Sequence, residues 1–184
     1  MKRNQGQTPE ESLDTLEAIG QAAFKAGLGV VAYISMAFGN PYGDDWSVDE
    51  VIAACDLLAD MGIGQVSLAD TVGLAVPEEI SRLVSAVLSA NEAVEIGVHL
   101  HARPEEVAAK VSAAYRAGCR RFDMAIGGLG GCPFAQDALV GNIATELAVD
   151  ELERLGAELP PLQPLDGLCA ASHAIGGKFG PTTQ

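Results

Sequence analysis

Four times in this chain a run of strand length is followed by an amphipathic stretch, three of the four closing on glycine, with a period of about thirty residues. The runs are 28–35 (LGVVAYIS), 65–70 (QVSLAD), 94–101 (VEIGVHLH) and 120–127 (RRFDMAIG). The first, 28–35, is a continuous apolar run, as expected of a strand buried on both faces. The stretches between the runs carry helix grammar. A further helix leads the series: Thr8 and Glu11 form a capping box around Pro9, and Gly27 stops it. Ser47 and Glu50 repeat the box, Pro77 opens the helix over 77–90, and Gly62, Gly118 and Gly156 are stops. Regular alternation of this kind predicts parallel strands joined by right-handed crossovers.

Two architectures satisfy that pattern, an open doubly wound sheet or part of a (β/α)8 barrel. A whole barrel takes roughly 250 residues, and this chain of 184 has four strand–helix units, about half of one. The predicted domain covers 1–156. Residues 157–184, rich in Pro and Gly, read as a loosely ordered tail.

Composition narrows the function. A formal net charge of −14 disfavours nucleic acid and anionic membrane surfaces as partners. No apolar run approaches the ~20 residues of a membrane helix, and the first twelve residues hold no apolar core of a secretory signal. Four scattered cysteines without a CxxC pair fit a reducing, cytoplasmic setting.

In parallel α/β proteins ligands collect at the C-terminal ends of strands, and the chemically useful residues lie at such ends. His99 and His101, two apart on a strand, point to one face and can share a metal ion, or they are unrelated strand-end histidines. Asp70 binds substrate, orients a ligand or caps its loop. Asn142 caps the last helix or offers its amide oxygen to a metal, and Glu146 suits the first turn of that helix. Arg103 pairs with an anion or lies in solvent, and His173 reads as solvated. Residues 127–131 place four glycines in five positions, a loop whose backbone approaches something closely. Cys132 follows as nucleophile, acid/base or small filler. Cys55 and Cys119 read as packing residues, and Cys169 is undecided.

Taken together, GGLGGCPFA (127–135) with GN and ATE downstream resembles the active-site signature of the hydroxymethylglutaryl-CoA lyase family. SLADTVG, GVHLH and YISMAFGNPYGD resemble that family's preceding strand ends, in the right order, from about residue 2 to about residue 156. The HxH alone is shared with isopropylmalate synthases and hydroxy-oxo-acid aldolases; HLHARP and Cys132 point to the lyase. The resemblance implies the second half of a (β/α)8 barrel and a divalent metal, Mg or Mn, held by His99, His101 and Asn142. It implies Cys132 as the catalytic cysteine, with His99 also a candidate base. Asp70 and Glu146 match acidic residues of the site, and Gly130 and Gly131 belong to a loop over an acyl-CoA substrate. The usual aspartate after the second histidine is Ala102 here. The expected reaction is cleavage of 3-hydroxy-3-methylglutaryl-CoA to acetyl-CoA and acetoacetate, with a homodimer as a possible assembly. Two other readings stand beside it: a half-barrel silent on its own, and an aldolase-type or acyl-CoA lyase relative with another substrate. Half a barrel is also expected to expose two sheet edges and an apolar lining.

Overall fold

The computed structural model describes residues 6–130 and 140–179. Its elements run α1 (Pro9–Lys25), β1 (Val31–Ile34), α2 (Val48–Asp60), β2 (Gln65–Ala69), α3 (Pro77–Ala90), β3 (Glu95–His99), α4 (Val107–Arg116), β4 (Arg121–Phe122), α5 (Thr145–Arg154) and α6 (Asp166–Phe179). Local chemistry sets the helix starts. Thr8 Oγ1 accepts from the Glu11 N–H while Glu11 returns a carboxylate to the Thr8 N–H, completing the expected box. At α2 only half of the box forms: Ser47 Oγ accepts from the Glu50 N–H, but the Glu50 carboxylate takes the Ser47 hydroxyl instead of its N–H.

The four strands are parallel and stand in chain order, β1-β2-β3-β4. Consecutive helices from α2 to α5 pack against one another. Right-handed crossovers that always advance in one direction place every helix on the same face, whereas a doubly wound sheet reverses and covers both. The fold is therefore part of a (β/α)8 barrel.

The helix-covered face carries the core. Val66, Leu68, Ile96 and Val98 are buried against Ile80, Leu83, Val84, Val87 and Val111, each such side chain contributing about 1.5–3 kcal/mol. The other face departs from expectation. Register places Tyr33, Ser67, Gly97 and Arg121 in one row across it, with Gln65 and Glu95 paired in the row before. The open lining is thus polar rather than apolar. β1 is not buried on both faces either: Val31 and Tyr33 are exposed while Ala32 is buried, whereas β2 is buried on both from Val66 to Ala69.

Two further expectations change. The strand over 120–127 shrinks to Arg121–Phe122, because beyond Asp123 the backbone leaves β3; Ala125 bridges Ala144, and Gly127 and Gly128 take left-handed φ of 67° and 63°. The tail is not loose throughout. After the proline-rich stretch, Asp166–Phe179 forms α6, which docks on the turn Ile126–Gly128 through a hydrogen bond from Ser172 Oγ to Ile126 O at 2.7 Å. Alanines sustain the middle of the helix, and its three glycines fall in the first turn (Gly167) and the last (Gly176, Gly177).

Candidate active site

The ends of β2 and β3 and the segment before α5 converge on His99 and His101. The two rings lie 5.0 Å apart, centroid to centroid, at 79°. Each is fixed through Nδ1: His99 to the carbonyl of Asp123 at 3.2 Å, His101 to the carbonyl of Asp70 at 2.7 Å. A carbonyl can only accept, so Nδ1 carries the proton in both rings. In the neutral form of either ring the lone pair is then on Nε2, and neither Nε2 has a hydrogen-bond partner among the described residues. His101 is 4% exposed, and burial pushes its pKa below the ordinary histidine value, opposed by its bond to the Asp70 carbonyl. A buried, neutral, oriented imidazole is a ready metal ligand.

Asn142 joins them through the backbone. His101 and Asn142 form an isolated antiparallel bridge flanked by the bonds Ala102 N–H to Gly141 O and Ile143 N–H to Leu100 O. That is the non-hydrogen-bonded kind of pair, in which side chains stand closest on one face. Asn142 does not cap α5, whose N-cap is Ala144. Its Nδ2 donates to Leu129 O at 2.9 Å, and its Oδ1 has no hydrogen-bond partner among the described residues, so it can ligate. Among the described residues no three of His, Cys, Asp and Glu cluster to hold a metal; the donor set here is two imidazoles and an amide oxygen. Those groups fit a hard or borderline divalent cation.

The glycines explain how the turn comes so close. A Cβ on Gly128 would meet Asn142 O at 2.9 Å, and one on Gly130 would meet Asn142 Nδ2 at 3.0 Å. Glu146, in the first turn of α5, accepts from the Gly127 N–H at 3.0 Å and so ties the same turn to the helix. Gly131 and Cys132 lie outside the described residues.

Asp70 is at the site but turned away from it. Its side chain is 2% exposed and is taken up by the Ala75 N–H and by Lys110, so the loop-capping role is the one its geometry serves. Arg103 is exposed, its N–H held by Glu106, and His173 is exposed on α6. Cys55 and Cys119 are fully buried, and burial pushes both thiols up to about 11. Cys169 is half-buried beside Glu146.

Sequence reasoning missed Tyr33, Lys110, Arg121 and Asp123. The Tyr33 ring meets His99 edge-on at 5.7 Å, and its pKa is raised by burial and then by the Asp123 charge. The Asp123 carboxylate accepts from Ser67 and Arg121 while its carbonyl holds His99. A signal existed for Lys110: it shares the apolar stripe of Val107, Val111 and Ala114, a core position for a charge.

The HMGL-like family model matches residues 1–174. Hydroxymethylglutaryl-CoA lyase YngG of Bacillus subtilis is 35% identical over 179 residues, which make up 97% of this chain and 59% of that protein. (R)-citramalyl-CoA lyase of Chloroflexus aurantiacus is 36% identical over 179 residues, 97% of this chain and 56% of that protein. A solved structure of an HMG-CoA lyase from Acinetobacter baumannii, in complex with coenzyme A and 3-methylmalate, matches at 34% identity with a TM-score of 0.80. That match covers 99% of this chain and 58% of the other. The chain spans about half the length of the curated relatives it matches.

Proposed function

This chain belongs to the HMGL-like family, and we propose that its strand-end site serves metal-dependent cleavage of a 3-hydroxyacyl-CoA, with 3-hydroxy-3-methylglutaryl-CoA as substrate. The observation that carries the reading is the pair of Nδ1-anchored imidazoles with free Nε2 atoms beside the free Oδ1 of Asn142. His99 Nε2, His101 Nε2 and Asn142 Oδ1 would hold a divalent ion, Mg or Mn. Bound there, such an ion supplies Lewis acidity that lowers the pKa of the substrate hydroxyl.

One assignment is withdrawn on this geometry. With Nδ1 bonded to a carbonyl, His99 has a single lone pair, which cannot both ligate and take the hydroxyl proton. Ligation is retained. Once the C3 hydroxyl gives its proton to a solvent base, the C3–O bond becomes a carbonyl and the C2–C3 bond breaks. Its electron pair stays on C2 as the enolate of acetyl-CoA, and acetoacetate departs. Cys132 then delivers its thiol proton to C2. The turn 127–130, which precedes this cysteine in the sequence, is pinned to Asn142 and Glu146. The relative in complex with coenzyme A supports an acyl-CoA substrate. The net charge of −14 supports a small-molecule partner over nucleic acid.

The test is acetoacetate release from 3-hydroxy-3-methylglutaryl-CoA with Mg²⁺ or Mn²⁺, for the protein and its Cys132→Ser variant. Turnover should fall by roughly 10²–10⁴ with little change in apparent affinity. An equal loss of both would make the cysteine a shaper of its loop. The citramalyl-CoA lyase relative favours a second reading, the same bond cleavage on a different acyl group, and release of acetyl-CoA from citramalyl-CoA would distinguish it.

A further inference from the structure

Lys110 is a lysine where α4 should present an apolar side chain, and it is 4% exposed. Burying an ammonium is costly unless its protons are matched. Here three protons meet three acceptors: His101 O at 2.7 Å, Asp70 Oδ2 at 3.4 Å and Gly73 O at 3.4 Å. The acceptors come from two segments, the end of β3 and the loop after β2. That loop also holds the His101 ring, since Asp70 O takes its Nδ1 proton at 2.7 Å. The bonds close a circuit. Lys110 grips the backbone of His101 and the side chain of Asp70, and the backbone of Asp70 grips the ring of His101.

We propose that Lys110 is a positioning residue for His101, clamping the β3 end to the 70–73 loop so that the imidazole stays in its Nδ1–H form with Nε2 presented to the ligand position. The role rests on reading His101 as a metal ligand, but the orientation of the ring is measurable without a metal. A competing account has Lys110 only balancing the charge of Asp70. Removing both charges separates the two, because the double variant Lys110→Met/Asp70→Asn leaves no unpaired buried charge yet keeps the Asp70 carbonyl.

The experiment has two readouts on variants that retain the wild-type melting temperature. Long-range ¹H–¹⁵N NMR of the metal-free protein reports the His101 tautomer, with His101→Gln used for assignment. Electron paramagnetic resonance reports binding of Mn²⁺. Wild type should show a single Nδ1–H form. The double variant should show mixed tautomers and bind Mn²⁺ 10–100-fold more weakly, the usual loss when support behind a ligand is removed. If the methionine pair does not fold, Lys110→Gln/Asp70→Asn provides the same comparison with a neutral side chain. A stable double variant with a pure Nδ1–H signal and wild-type affinity would overturn the proposal. Mixed tautomers in the variant with no Mn²⁺ binding even by wild type would refute the ligand reading and leave the clamp in place.

Discussion

Arg121 reaches across Gly97: a Cβ added to Gly97 would lie 2.5 Å from Arg121 Cζ. Gly97 is the one residue of its row without a side chain, and the guanidinium uses that gap to cross β3. Its Nη2 reaches Val66 O on β2 at 2.7 Å, and its Nη1 binds both oxygens of Asp123 at 3.0–3.1 Å. A strand of two residues is thereby tied to a strand two places away.

Gly97→Ala should therefore expel the guanidinium, since its flexible end is what the methyl meets. Losing hydrogen bonds made by a charged group costs about 1.5–3 kcal/mol. Arg121→Met should cost a similar amount, and the double variant should cost clearly less than the sum, because both changes remove one interaction. Urea unfolding of the three proteins measures this. Strict additivity would mean that the crossing contributes nothing.

Divalent ions should stabilise the protein through the two imidazoles. A ligand that binds only the folded state adds about 2.7 kcal/mol at a hundred times its dissociation constant. The melting temperature should rise with Mn²⁺, return on adding a chelator, and cease to respond in His99→Ala or His101→Ala. An unchanged response in His101→Ala would place the ion elsewhere.

Much of this was legible in the residues. The Thr8/Glu11 box, Pro77 and the stopping glycines mark the helices because those signals are local, and His99 with His101 shares a face because strand period is two. What escaped was set by tertiary partners. Strand β4 ends early because residues 123–125 hydrogen-bond to Val98 and then to the segment before α5. The polar lining followed from register, which no single strand reveals: Gly97 means little until Arg121 lies over it. α6 hid behind prolines and a glycine pair, and its contact with Ile126 joins residues 46 apart.

Cys55 and Cys119 should resist alkylation in the native protein. With thiols pushed up to about 11 by burial, only about one part in a thousand is thiolate at pH 8, and no surface is open to the reagent. Mass spectrometry after iodoacetamide treatment at pH 8 should find both unmodified until denaturant is added. Labelling of native Cys119 at the rate of half-buried Cys169 would show that the segment leading into β4 opens readily.

The last prediction separates the two ends of the Asn142 amide. Nδ2 holds the glycine turn through Leu129 O, and Oδ1 is the end available to a cation. Asn142→Asp removes the donor but keeps an oxygen, now charged; Asn142→Ala removes both. Both variants should loosen the turn by about 0.5–1.5 kcal/mol, seen as faster amide exchange at Gly127 and Gly128. They should part company on the metal. The alanine variant should bind Mn²⁺ at least about tenfold more weakly. The aspartate variant should bind as well as wild type or better, because a carboxylate is the stronger ligand for a hard cation. Isothermal titration of both with Mn²⁺ decides the matter. Equal weakening in the two would show that Asn142 acts through the turn alone, and the third donor would have to be sought on another segment.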